Sequence, residues 1–131
     1  MKALIVDDEL INRKFLNAII SDFGDCDQAS NGNEAVAFVK NKLNKNEMYD
    51  LIFLDIMMPE LDGHETLTKI RKVEEEANIL IGNGSTIIMI SCLEDNDNII
   101  SSFREGCEYY LVKPLLENIV LDLLRELRHI D

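Results

Sequence analysis

Ala3-Leu4-Ile5-Val6-Asp7-Asp8-Glu9 is an apolar run that stops abruptly in three carboxylates, and Leu51-Ile52-Phe53-Leu54-Asp55 repeats the pattern. Ile87-Ile88-Met89-Ile90-Ser91 is a third such run, closed by a hydroxyl. Short runs without polar alternation suit strands covered on both faces, the condition of a central strand in a parallel sheet. Residues 26–30 carry polar side chains and suit an edge strand, while 109–112 is intermediate. Between the runs, helical periodicity predicts helices over 11–22, 34–43, 65–76 and 96–105, and a last one near 118–129. Ile11, Phe15, Ile19 and Phe23 recur at i+4 steps and predict the buried face of the first helix. Asn31-Gly32 and Asp62-Gly63 are turn signals before two of the others. Strict alternation of β and α predicts an α/β, doubly wound, five-stranded parallel sheet with helices on both faces, a flavodoxin-like fold. The polarity ranking of the strands is compatible with the order 2-1-3-4-5.

Length and charge narrow the function. The 131 residues fit a single domain spanning 1–131, with no repeat or low-complexity tract. The formal net charge is −12, from 25 acidic and 13 basic residues, which argues against direct nucleic-acid or anionic-membrane binding. Cys26, Cys92 and Cys107 form no CxxC pair and no zinc spacing, so buried thiols in a reducing compartment are expected. With no signal peptide and no run of membrane-spanning length, a cytoplasmic location is expected.

In an open parallel sheet, ligands bind beyond the carboxyl ends of the strands, at the switch in strand order. Asp7, Asp8, Asp55, Ser91 and Lys113 each follow a strand and are expected to converge there. Two carboxylates about 4 Å apart repel by roughly 4 kcal/mol at an effective dielectric of 20. With only Lys113 for balance, the empty cluster would be strained or partly protonated, and a divalent cation relieves it. All-oxygen ligation suits Mg2+, assigned to Asp7, Asp8 and Asp55. An Asp55 carboxylate with an ordinary pKa near 4 needs no general base to attack phosphorus. The cation, Lys113, and the Ser91 hydroxyl or nearby backbone amides would each take one phosphoryl oxygen.

Those residues, in the motifs Val6-Asp7-Asp8-Glu9, Leu54-Asp55-Ile56-Met57-Met58-Pro59 with Asp62-Gly63, Ile90-Ser91 and Val112-Lys113-Pro114, resemble the receiver domain of two-component response regulators across essentially the whole chain. The resemblance implies a phospho-accepting signalling switch rather than a turnover enzyme. It makes Asp55 the phosphoacceptor, Lys113 the phosphoryl-binding lysine and Asp7 and Asp8 the Mg2+ ligands, completed by the Met57 carbonyl. Ser91 becomes the switch hydroxyl and Tyr110 the switch aromatic, and the Lys113-Pro114 bond is expected to be cis. Implied partners are a sensor histidine kinase or histidine phosphotransfer protein as donor. A downstream protein, or a second copy in a homodimer, is implied on the helix 4–strand 5–helix 5 face.

This sequence departs from the family pattern in places. Cys92 stands where a smaller residue is usual and is expected to restrict access to the phosphoryl group. Met57 and Leu93 are apolar at variable positions and are expected to order attacking water poorly, lengthening the aspartyl-phosphate lifetime. Residues 77–85 form a longer, more apolar connection than usual. His64 is expected at the surface, and Glu74-Glu75-Glu76 as a solvated helix end. In the last helix Leu116, Ile119, Val120, Leu123 and Leu127 should share an inward stripe, with Leu124 at its margin and Leu121 outside it, toward the partner-binding side. A flavodoxin-like electron carrier is disfavoured because Asp7-Asp8-Glu9 would repel a flavin phosphate. A phosphatase of the haloacid-dehalogenase kind wants an aspartate where Met57 stands. A degenerate receiver that only binds partners is disfavoured because each charged member of the site is present.

Overall fold

A computed structural model describes residues 1–92 and 96–129 of the chain. Its strands are β1 (Lys2–Val6), β2 (Asp25–Ala29), β3 (Leu51–Asp55), β4 (Thr86–Ser91) and β5 (Tyr109–Val112). Helices α1 (Leu10–Ile20), α2 (Gly32–Asn44), α3 (Gly63–Glu76), α4 (Asn96–Arg104) and α5 (Glu117–Glu126) alternate with them. All pairings are parallel and the order is β2-β1-β3-β4-β5, as the strand polarity suggested. The boundaries differ from expectation by a few residues, most at the end of α5. There Leu127 takes the C-cap and Arg128 turns into the left-handed region at φ 62.

Alternation along the strands divides the core into two layers. Leu4, Val6, Ile52, Leu54, Ile87 and Met89 face α2 and α3, where Ala35, Val39, Leu67 and Ile70 meet them. Ala3, Ile5, Leu51, Phe53, Ile88 and Ile90 face α1 and α5. Because both faces are filled, β3 is buried at all five positions, which accounts for the apolar run Leu51–Leu54 ahead of Asp55.

Two helices bury different faces from those expected. In α1 the buried residues are Leu16, Ile19 and Ile20, whereas Ile11 is 79% and Phe15 38% exposed, and Phe23, 38% exposed, lies in the turn after the helix. In α5 the buried set is Val120, Leu123 and Leu124. Leu116 precedes the first turn and is exposed, Ile119 sits at the rim, and Leu121 packs partly against the core rather than standing outside it. Leu127 also packs partly against that core. Of the three cysteines, Cys107 is buried, Cys26 half-buried and Cys92 exposed, so Cys92 departs from the expected burial.

Glu74 is a further correction. It is buried, pairs with Arg71 Nη1 at 2.7 Å, and accepts the Ser85 backbone N–H at 2.8 Å. The connection between α3 and β4 folds back onto it so closely that a Cβ at Gly84 would collide with its carboxylate. Arg71 continues the network to Glu108 and to the carbonyls of Ser85 and Gly106. Part of the long connection thus has a structural role in this network, while Leu80 and Ile81 remain exposed at its tip.

Glu74→Ala would leave the buried Ser85 N–H without its acceptor and is expected to destabilise the fold by about 1–3 kcal/mol in urea unfolding. The exposed neighbour change Glu75→Ala should stay within about 0.5 kcal/mol.

Candidate functional site

The strand register brings the carboxyl ends together: Val6 pairs with Leu54, Asp55 with Ile90, and Ser91 with Val112. Asp7, Asp55, Ser91 and Lys113 therefore sit at one edge of the sheet. Asp7 and Asp55 are almost fully buried, Asp8 is exposed, and carboxylate oxygens of all three lie within 4.8 Å of one another. Lys113 Nζ stands 3.4 Å from Asp55 Oδ1 and 3.9 Å from Asp7 Oδ2.

The backbone around the acids is pinned locally. The Asp7 N–H donates to the Ala29 carbonyl, and the Glu9 N–H donates to Asp7 Oδ1 at 2.9 Å. Arg13 Nη1 donates to the Asp7 carbonyl at 2.8 Å, a contact that the sequence reading missed. After Asp55 the chain makes a tight loop, in which the Met58 and Gly63 N–H groups both donate to the Ile56 carbonyl. A side chain at Gly63 would overlap the Asp55 carbonyl and the Ile56 Cα, so glycine lets α3 begin directly against the end of β3. Asp62 caps α3 with a reciprocal capping box to Glu65. On the far side the Lys113 N–H donates to the Ser91 carbonyl at 2.7 Å, and the Lys113-Pro114 peptide is cis, as the resemblance implied.

Burial and the charge of Asp7 push the Asp55 carboxyl up to about 6, against the opposing pull of Lys113 and the Met57 N–H. Asp7 is also raised, first by burial. The ordinary value near 4 expected for Asp55 is therefore corrected upward, and the partial protonation expected of a cation-free cluster follows from the geometry. The donor set is three hard carboxylates short of positive charge, which fits a small divalent cation with oxygen ligation.

Ser91 is fully buried and Tyr110 half-buried on β5, its hydroxyl accepting from Asn98 Nδ2 at 3.0 Å. Met57 is 58% exposed beside the acids. Leu93 lies outside the described residues. His64, expected at the surface, is half-buried and bonded to Glu105 and Asn98. Its partners are 41 and 34 residues away along the chain, so no local signal announces them.

This sheet and this acidic edge define a class. The chain belongs to the response regulator receiver domain family, whose model matches residues 3–125. It is 32% identical over 128 residues to the chemotaxis protein CheY of Listeria monocytogenes, covering 96% of this chain and 97% of that protein. Among solved structures it is similar to the CheX-CheY-BeF3-Mg+2 complex of Borrelia burgdorferi, with a TM-score of 0.81, 31% identity and coverage of 97% and 88%. It is similar also to the receiver domain of the Arabidopsis thaliana histidine kinase CKI1 complexed with Mg2+, with a TM-score of 0.83, 29% identity and coverage of 97% and 91%. Receiver domains are signalling switches of two-component systems, both chemotaxis-regulator-like and attached to histidine kinases. No helix among the described residues is long and apolar enough to cross a membrane.

A carboxyl whose folded pKa lies above its unfolded value stabilises the fold when protonated, and that contribution is lost as pH rises through the folded value. For Asp55 the loss spans the interval from its ordinary 3.8 up through about 6. In chelator, Asp55→Asn is expected to stabilise the chain by about 1–3 kcal/mol at pH 8. The gain should shrink below pH 6 and on adding Mg2+, as thermal melts would record.

Proposed function

We propose that Asp55 accepts a phosphoryl group from a phosphohistidine donor, a sensor histidine kinase or a histidine phosphotransfer protein, in a Mg2+-dependent reaction. The observation that carries this reading is a buried carboxylate 3.4 Å from an ammonium, with two further carboxylates in reach of a shared cation. An Asp55 oxygen attacks phosphorus as the donor's P–N bond breaks, and the donor ring, already protonated on its other nitrogen, leaves with that electron pair as neutral imidazole. Mg2+, when held by Asp7, Asp8, Asp55 and the Met57 carbonyl, supplies charge neutralisation for the incoming phosphoryl oxygens. Lys113 would take a second oxygen and Ser91 would donate to a third. Asp55 is 2% exposed, which keeps bulk water off its carboxylate.

The entrance also suits a helical donor. Ile11, Phe15, Pro114 and Leu115 line a groove of about 590 Å³ that reaches Asp7 and Lys113. Leu10, Ile11, Leu116 and Ile119 are exposed on α1 and α5, an apolar surface to seat the donor helix that presents the histidine. Ile100 and Phe103 of α4, the helix that leads into β5, are each 46% exposed. The helix 4–strand 5–helix 5 face is accordingly assigned to a downstream partner or a second copy. With Leu121 partly packed inward, Ile100 and Phe103 are its apolar anchors. Phosphorylation would draw Ser91 toward the new group and let Tyr110 follow. A shift from 1:99 to 99:1 needs about 5.5 kcal/mol of differential stabilisation.

Incubation with Mg2+ and acetyl phosphate or a phosphoramidate should add one phosphoryl group by intact mass. Asp55→Asn and chelator should each abolish the gain, and a gain that survives Asp55→Asn would refute the assignment. Lys113→Ala, which removes the ammonium from the buried pair, is expected to slow phosphorylation by 10²-fold or more. Met57→Asn places a polar group beside the acceptor and should hasten aspartyl-phosphate decay; an unchanged rate would remove Met57 from control of lifetime.

A further inference from the structure

Between α3, α4 and β5 lies a connected set of polar side chains that the acidic pocket does not use. His64, in the first turn of α3, has Nδ1 2.8 Å from Glu105 Oε2 and Nε2 2.7 Å from Asn98 Oδ1. Asn98 donates Nδ2 to the Tyr110 hydroxyl at 3.0 Å. An ionised carboxylate and an amide oxygen only accept hydrogen bonds, while a neutral imidazole carries a single N–H. Both contacts are therefore satisfied together only by the imidazolium. The Asn98 amide cannot turn to relieve this without also exchanging the atom it presents to Tyr110.

We propose that His64 is a proton-dependent latch whose charged form ties the start of α3 to both ends of α4 and, through Asn98, sets the hydrogen-bonding role of the Tyr110 hydroxyl. Asn98 stands in the first turn of α4 and Glu105 directly after its last residue, so one ring spans the helix. Loss of the proton leaves a ring lone pair facing an acceptor. The Asn98 amide then turns over to donate to Nε2, so that its oxygen instead of its NH2 faces Tyr110 and the contact with the hydroxyl must re-form or open.

The groups facing His64 are Glu105 from the end of α4, Asn98 from its first turn and Asp62 from the cap of α3. Burial draws the proton away, but the hydrogen bonds to Glu105 and Asn98 and the charges of Glu105 and Asp62 outweigh it and raise His64 above its ordinary 6.5. For a group raised on folding, the stabilisation is complete below the unfolded value and is lost as pH rises through the folded one. The latch is thus closed below about 6.5 and opens above the raised value, within the range where histidine serves as a switch. Its consequence for signalling, a pH-dependent bias on the α4–β5 face, rests on the receiver reading above.

An NMR titration of the metal-free, unphosphorylated chain from about pH 5.5 to 9 tests the latch without a donor or cation. The His64 ring signal should titrate above 6.5, and Tyr110 ring and α4 amide signals should shift with the same midpoint. Glu105→Gln should lower the His64 midpoint, and His64→Gln should remove the transition from Tyr110. A His64 midpoint at or below 6.5, or Tyr110 signals indifferent to it, would overturn the latch. Because no phosphoryl group is involved, such a failure is distinct from failure of Asp55 to accept one.

Discussion

Asp7 and Asp55 are nearly stripped of water yet share a single ammonium, that of Lys113, and this deficit of positive charge organises the molecule around it. Carboxylates so placed are costly at the end of strands that are otherwise mostly apolar. The surrounding backbone offsets part of the cost through the N–H of Glu9, which donates to Asp7. A weaker approach at 3.4 Å, from the Met57 N–H, does the same for Asp55. Neither removes it, since both carboxyls remain raised. The unfilled remainder is the electrostatic driving force for binding cations and, under the proposed function, for admitting an anionic phosphoryl group only when a cation accompanies it. Tighter pairing of Asp55 with a second fixed cation would stabilise the chain but leave less for a ligand to supply.

The sheet and the acidic edge were legible in the sequence for one shared reason. A strand covered on both faces must be apolar throughout, so it announces itself as an uninterrupted run, and the first polar residue after it marks the carboxyl end. Asp7, Asp55 and Ser91 could therefore be located by where hydrophobicity stops, and Lys113 by the end of the weaker fifth strand. Convergence itself required only the strand order. Glu74 and His64 were not legible, because the groups that bury them come from other elements. Ser85 and Glu108 meet the Glu74–Arg71 pair after a long connection folds back, and Glu105 and Asn98 reach His64 from the next helix. In sequence Glu74 is simply the first of three glutamates, and His64 a residue inside a capping box.

The first helix misled for a geometric reason. At 100° per residue an i+4 step advances 40° beyond a full turn, so a row such as Ile11, Phe15, Ile19, Phe23 slants across the surface rather than lying along one face. Only Ile19 of that row reaches the sheet, joined there by Leu16 and Ile20. The rest of the row carries apolar area away from the core. In α5 the analogous excess falls on Leu116 and Ile119. A helix that must pack inward on a sheet and also meet a visiting protein needs two apolar faces, and a single-stripe reading merges them. Helix α1 and the 113–115 segment that leads into α5 line the opening to Asp7 and Lys113, where the proposed donor must approach.

The acidic edge and the His64 cluster act on neighbouring parts of the same layer. Ser91 ends β4 beside Asp55, Tyr110 lies on β5 next to it, and α4 connects those two strands in the chain. If a phosphoryl group on Asp55 displaces Tyr110, the atom that Asn98 offers to the hydroxyl must be renegotiated, and His64 feels the change through the same amide. Coupling between two binding equilibria is reciprocal in free energy. A proton on His64 that resists the phosphorylated arrangement must then be held less tightly once Asp55 is phosphorylated, by the same factor. One that favours it must be held more tightly by that factor. The direction is decided by whether the Tyr110 hydroxyl, in its displaced position, still accepts from Asn98. Through the Asn98–Tyr110 hydrogen bond itself, the link has about 0.5–1.5 kcal/mol to draw on. Such a proton can tilt the equilibrium of the α4 face, but it falls well short of the 5.5 kcal/mol or so needed to throw it from one state to the other.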